Sequence, residues 1–120
     1  MTVAEVIARA DGLRPNSLDD MEKMRYVAGL ERRLMRELGM TPDLPDPPGC
    51  AGAQLTADGG YEDIYIFYLC ARIDLAHREY EGWNGMTVLF NALMEDFKKQ
   101  KLRDKAPAKS EIKGIWRRGV

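Results

Sequence analysis

The one histidine, His77, stands three residues after Asp74 in the segment DLAHREY. On a helix, a carboxylate at i−3 can hold an imidazole and raise its pKa. A hydrolytic triad needs a nucleophile as well, and the sequence sets no Ser or Cys beside His77. His77 therefore reads as an exposed or interface residue. Cys50 and Cys70, twenty residues apart with a single histidine elsewhere, do not make the ligand spacing of a zinc site. Asp58, Glu62 and Asp63 surround Gly59 and Gly60, but not in the order of a calcium loop. They fit the first turn of a helix, where acids suit the dipole. The glycines match neither a P-loop nor a dinucleotide fingerprint and read as turn residues. The expectation is a protein with no enzyme activity, no metal and no cofactor. Tyr61, Tyr65, Phe67, Tyr68 and Tyr80 recur at helical spacing. Base-stacking platforms are usually built on sheets, so these rings read as core or subunit contact, with each hydroxyl seeking a partner.

The elements that carry these residues are helical. Residues 2–11 form a short helix, capped by Thr2 with Glu5 completing a capping box, with Gly12 as its stop. Its apolar stripe is Val3, Val6, Ile7 and Ala10. A second helix over 18–39 starts from Asn16 or Ser17, carries Leu18, Met21, Met24, Val27, Leu30, Leu34 and Leu38 as its stripe, and ends at Gly39. Residues 40–60 hold four of the six prolines and four glycines. No helix survives that density, and a loop this long is usually functional or mobile. The loop is a candidate contact surface, with at most a weak strand over 53–56. A third helix over 61–82 has apolar residues on more than one face, which implies burial between neighbours. Gly82 is its expected stop. A fourth helix runs from a cap at Asn84 to about 104 with Met86, Leu89, Phe90, Leu93 and Phe97 inward, antiparallel to the third. Asp74 breaks the apolar pattern: it either pairs with Arg72, Arg78 or a residue of another helix, or is simply exposed to solvent.

The fold class expected is therefore all-α. It is a small bundle of about four helices over 1–104, with a long Pro/Gly-rich loop and a basic C-terminal docking tail at 105–120. The 120 residues allow one modest core. No run approaches the ~20 apolar residues of a membrane span, and the N-terminus lacks the apolar stretch of a secretion signal. Cytosolic assembly follows as an expectation, with Cys50 and Cys70 as free thiols rather than a disulfide. Charge is divided unevenly. Residues 1–97 hold nine Lys and Arg against 17 acids, net −8, and residues 98–120 hold nine against two, net +7. The tail includes Ile112, Ile115, Trp116, Arg117 and Arg118, whose mix of apolar and cationic side chains suits docking into a pocket on another protein. The same basic segment would alternatively bind nucleic-acid phosphates, making the chain a small helical regulator.

The order of segments carries a resemblance. TVAEVIARADGLRPN, then DDMEKMRYVAGLERRLMREL, then YEDIYIFYLCARIDLAHREYEGWNGMTVLFNALMEDFKK is similar to the small head–tail connector (adaptor) proteins of tailed bacteriophages and prophages, over about residues 2–103. LRPN at 13–16, YEDIYIFYL at 61–69, Asp74 to Tyr80 and YEGWNGMTVLFN at 80–91 are its most telling parts. The loop at 42–60 departs from that pattern. The resemblance implies a structural protein of the virion neck, assembled in the host cytoplasm. Such proteins form a ring, commonly of twelve subunits, below the portal protein. Genomic DNA passes through the lumen without sequence-specific binding, and a downstream stopper or tail protein docks beneath, with no membrane involved. The C-terminal segment would reach the portal through Ile112, Ile115, Trp116, Arg117 and Arg118.

Overall fold

The computed structural model describes residues 1–105. Within them lie four helices: α1 (Val3–Leu13), α2 (Asp20–Glu37), α3 (Asp63–Ala76) and α4 (Tyr80–Lys105). The bundle is centred on α3, against which α1, α2 and α4 all pack. This placement explains why α3 is apolar around its circumference: Ile64, Tyr65, Ile66, Leu69, Cys70, Ala71 and Ile73 are all buried. The core is completed by Val3, Val6 and Ala10 of α1, Val27, Leu30 and Leu34 of α2, and Phe90, Met94 and Phe97 of α4. Full burial of a side chain of this size contributes roughly 1.5–3 kcal/mol.

The helix ends follow local chemistry, in places differently from expectation. Thr2 Oγ1 accepts from Glu5 N–H while Glu5 Oε1 accepts from Thr2 N–H, the expected capping box. These bonds hold the Glu5 carboxyl below its ordinary range. The expected stop at Gly12 is overridden. α1 continues to Leu13 and ends at Arg14, which Pro15 keeps out of the helical region. α2 is capped by Asp19, not by Asn16 or Ser17. The Asn16 side chain is occupied in the link, donating to Asp11 Oδ1 and the Arg14 carbonyl and accepting from Leu18 N–H. Gly39, at φ +77°, does close α2. Its N–H and that of Met40 donate to the carbonyls of Arg36 and Met35.

The largest correction concerns the third and fourth helices. α3 stops at Ala76, and Gly82 lies inside α4 instead of closing α3. The break is made at Arg78, the one non-glycine residue at positive φ (+59°) among the described residues. Arg78 N–H donates to Leu75 O and Glu79 N–H to Asp74 O, so the last carbonyls of α3 are satisfied as they would be beyond a glycine. Asn84 is therefore not a cap, and Tyr80 belongs to α4.

The long loop is part of the body. Cys50, Leu55 and Ala57 are buried in the core. The first N–H groups of α1, at Val3 and Ala4, donate to the carbonyls of Ala53 and Ala51, and Leu55 N–H donates to Met1 O. In place of a strand over 53–56 there is a single antiparallel bridge between Thr2 and Gln54. The loop thus satisfies donors at a helix start that would otherwise be left without partners.

Candidate interaction surface

Segments remote in sequence meet at one corner. Arg14 Nε donates to both carboxylate oxygens of Asp74, at 3.0 and 3.2 Å. Asp74 is buried, so the ion pair lies partly inside the protein, on the α1 side of α3. The partner of Asp74 is thus Arg14, the residue that ends α1, rather than Arg72 or Arg78. His77 itself is exposed at the end of α3. Gly82 packs on the same carboxylate: a Cβ there would fall 2.6 Å from Asp74 Oδ2. The chain requires glycine at 82 for this close approach, not for a helix stop. LRPN, the Asp74–Tyr80 segment and the start of YEGWNG therefore converge on one corner through Arg14, Asp74 and Gly82.

Beside it, Lys23 is buried with its ammonium 2.9 Å from Asp11 and 3.2 Å from Asp20. Burial alone would lower its pKa, but the hydrogen bonds it donates to Asp11 and Asp20 outweigh that and hold it above the ordinary lysine value. A second polar cluster pins the loop. Glu31 is fully buried and accepts from Thr56 N–H (2.8 Å), Thr56 Oγ1 (2.7 Å) and Tyr65 OH (2.7 Å). Tyr65 OH in turn accepts from Ala57 N–H at 2.8 Å. Burial, and the facing Glu31 carboxylate, raise the Tyr65 pKa well above its ordinary value. Both polar residues were legible as anomalies, since 23, 27, 30, 31 and 34 fall on the apolar side of α2.

Tyr61 meets Phe97 edge-on at 5.2 Å, with its hydroxyl donating to Asp96, and Tyr68 lies 5.4 Å from Phe90. These rings bind the helices together. Cys50 and Cys70 are buried free thiols, and burial pushes the Cys70 thiol up to about 11. Among the described residues no group of His, Cys, Asp and Glu is placed to hold a metal ion, and no helix is long and apolar enough to cross a membrane.

What the core leaves over is apolar surface, concentrated on α4. Tyr80 is 59 % exposed, Val88 64 %, Leu89 45 % and Leu102 69 %. Leu89 was expected in the core stripe. The inward face of α4 instead runs through Phe90, Met94 and Phe97, and Leu89 is turned outward. Val88 and Leu89 adjoin on the side of α4 that the core leaves open, a candidate contact surface. Ile112, Ile115, Trp116, Arg117 and Arg118, expected to contact a portal, lie outside the described residues. Comparison with models of protein families, with characterised proteins and with solved structures finds no match to this chain.

Proposed function

We propose that this chain is a structural head–tail connector (adaptor) of a tailed bacteriophage or prophage. In this reading it forms a ring below the portal, extends the DNA channel and receives a stopper or tail protein beneath. The observation that supports it best is the exposed apolar surface of α4, centred on Val88 and flanked by Leu89, on a helix whose opposite face, through Phe90, Met94 and Phe97, is already committed to the core. A ring needs a heterologous contact repeated around an axis, and the Val88 face would supply one half of it. The acidic body adds support, because residues 1–97 carry net −8 and would line a channel without gripping phosphate. The test is electron microscopy of the chain mixed with purified portal. The full chain gives rings stacked on the portal. Val88→Glu, at an exposed position, stays folded but fails to close them, and a chain lacking residues 106–120 stays folded but does not stay on the portal. Val88→Glu rings that close normally, or unchanged portal binding by the truncated chain, refute the corresponding contact.

The exposed cations Lys98, Lys99 and Arg103 near the end of α4 favour one rival, a nucleic-acid-binding regulator. Part of that charge is already engaged. Lys98 pairs with Glu37, Lys99 lies 3.9 Å from Glu95, and Arg103 donates to Gln100. Duplex binding that falls steeply with salt would favour the rival.

A further inference from the structure

α2 and α4 both pack on α3 but not on each other. A trough is left between them, spanned by the Lys98–Glu37 ion pair at 3.2 Å. Towards the start of α4 it opens into a cleft of about 290 Å³, with Tyr68 of α3 in its lining, Arg33 of α2 on one wall and Trp83 and Asn91 of α4 on the other; Arg72 also lines it. Towards the end of α4 lies a second pocket of about 260 Å³, lined by Leu34, Leu38 and Leu102 and by Glu37, Lys98 and Lys101.

The charge of this trough runs against that of the body. Arg14 and Arg32 each hold an aspartate. Arg33 and Arg72 form no ion pair among the described residues, and Arg72 lies 4.3 Å over the Tyr26 ring. With Lys98 and Lys101 they set four cations against the one carboxylate of Glu37, in a body that over residues 1–105 holds 14 Lys and Arg against 18 Asp and Glu, net −4. Arginines with free donors beside aromatic walls are suited to bidentate capture of carboxylates. The aliphatic end would take one anchoring side chain.

We propose that the trough is a docking groove for an acidic, aliphatic-anchored segment of a partner protein. Its carboxylates meet Arg33 and Arg72, and a Leu- or Ile-sized side chain fills the space between Leu34, Leu38 and Leu102. Charge selects this occupant over the others. The chain's own residues 106–120, from the same copy or another, hold four cations and one acid and would be repelled. A nucleic-acid backbone would meet the acidic body on either side, and it gains little from an apolar floor. The inference stands independently of the phage reading.

The probe is a fluorescein-labelled synthetic peptide, Glu-Leu-Leu-Glu repeated three times, titrated by anisotropy with the full chain. Binding on the order of 10 µM is expected. It should weaken at least about tenfold in Arg33→Glu/Arg72→Gln and, separately, in Leu102→Glu, with circular dichroism unchanged in both. Equal binding of the Lys-for-Glu peptide overturns the proposal. So does no binding, or binding indifferent to the arginine variants. A twenty-nucleotide oligothymidylate that binds through the same arginines makes this a nucleic-acid surface instead. A chain ending at Lys105 that binds the peptide at least tenfold tighter than the full chain shows that the tail occupies the groove, which also overturns it.

Discussion

Gly82→Ala should change sign with its background. A methyl group at 82 would sit 2.6 Å from Oδ2 and 3.0 Å from Cγ of Asp74. Ordinary carbon contacts are about 3.5–4.0 Å, so the carboxylate must retreat by several tenths of an ångström or more. It has nowhere easy to go, being buried and held through both oxygens by Arg14. Overpacking of this kind costs roughly 1–3 kcal/mol. The lower half of that range applies, because the Arg14 side chain is 34 % exposed and its ion pair is partly screened. Against this, alanine is favoured over glycine inside a helix by about 1 kcal/mol. The net expectation is a loss of up to about 1 kcal/mol, or a melting temperature lower by up to about 4–8 °C. In an Asp74→Ala background the clash is gone, and the same substitution should stabilise by up to about 1 kcal/mol. Urea unfolding of the four proteins, followed by circular dichroism, measures the coupling. If Gly82→Ala raises stability equally in both backgrounds, within about 0.5 kcal/mol, the close approach at this corner does not limit the helix and the reasoning fails.

Three further outcomes are expected. Glu31→Ala should cost about 3–5 kcal/mol in urea unfolding, since it leaves the Tyr65 hydroxyl and Thr56 N–H facing a void, with Glu31→Gln intermediate because one acceptor oxygen remains. Arg78→Gly should stabilise by about 0.5–1 kcal/mol in thermal melts, because glycine pays no steric penalty at φ +59° whereas a side chain there does. Stability should also fall with alkali. The Cys70 thiol is held at about 11 in the folded protein against an ordinary 9.0, so its contribution is complete below pH 9 and is lost as pH rises through about 11. Tyr65 and Lys23, both raised, act in the same direction at higher pH. Urea midpoints across pH 8–11, as an approximate range, should therefore decline less in Cys70→Ala than in the parent, and equal slopes would count against the thiol.

The all-helical class, the capping box at Thr2 and Glu5, the stop at Gly39 and the burial of α3 on several faces were written in the sequence. Each depends on residues within a few positions of one another, where helix periodicity and capping operate. The break at Arg78 was not legible, because the commoner glycine stop stood four residues further on. Asp74, packed against Gly82, kept that glycine inside a helix. Periodicity sets Lys23 and Glu31 on the apolar side of α2, but it could neither name their partners nor place the proline loop. Glu31 is tolerable inside only because Thr56 and Tyr65, 25 and 34 residues away, bring three donors to it. Arg14 finds Asp74 across 60 residues. A charge may enter a core only where distant segments deliver its partners, and the tertiary structure alone decides which segments those are.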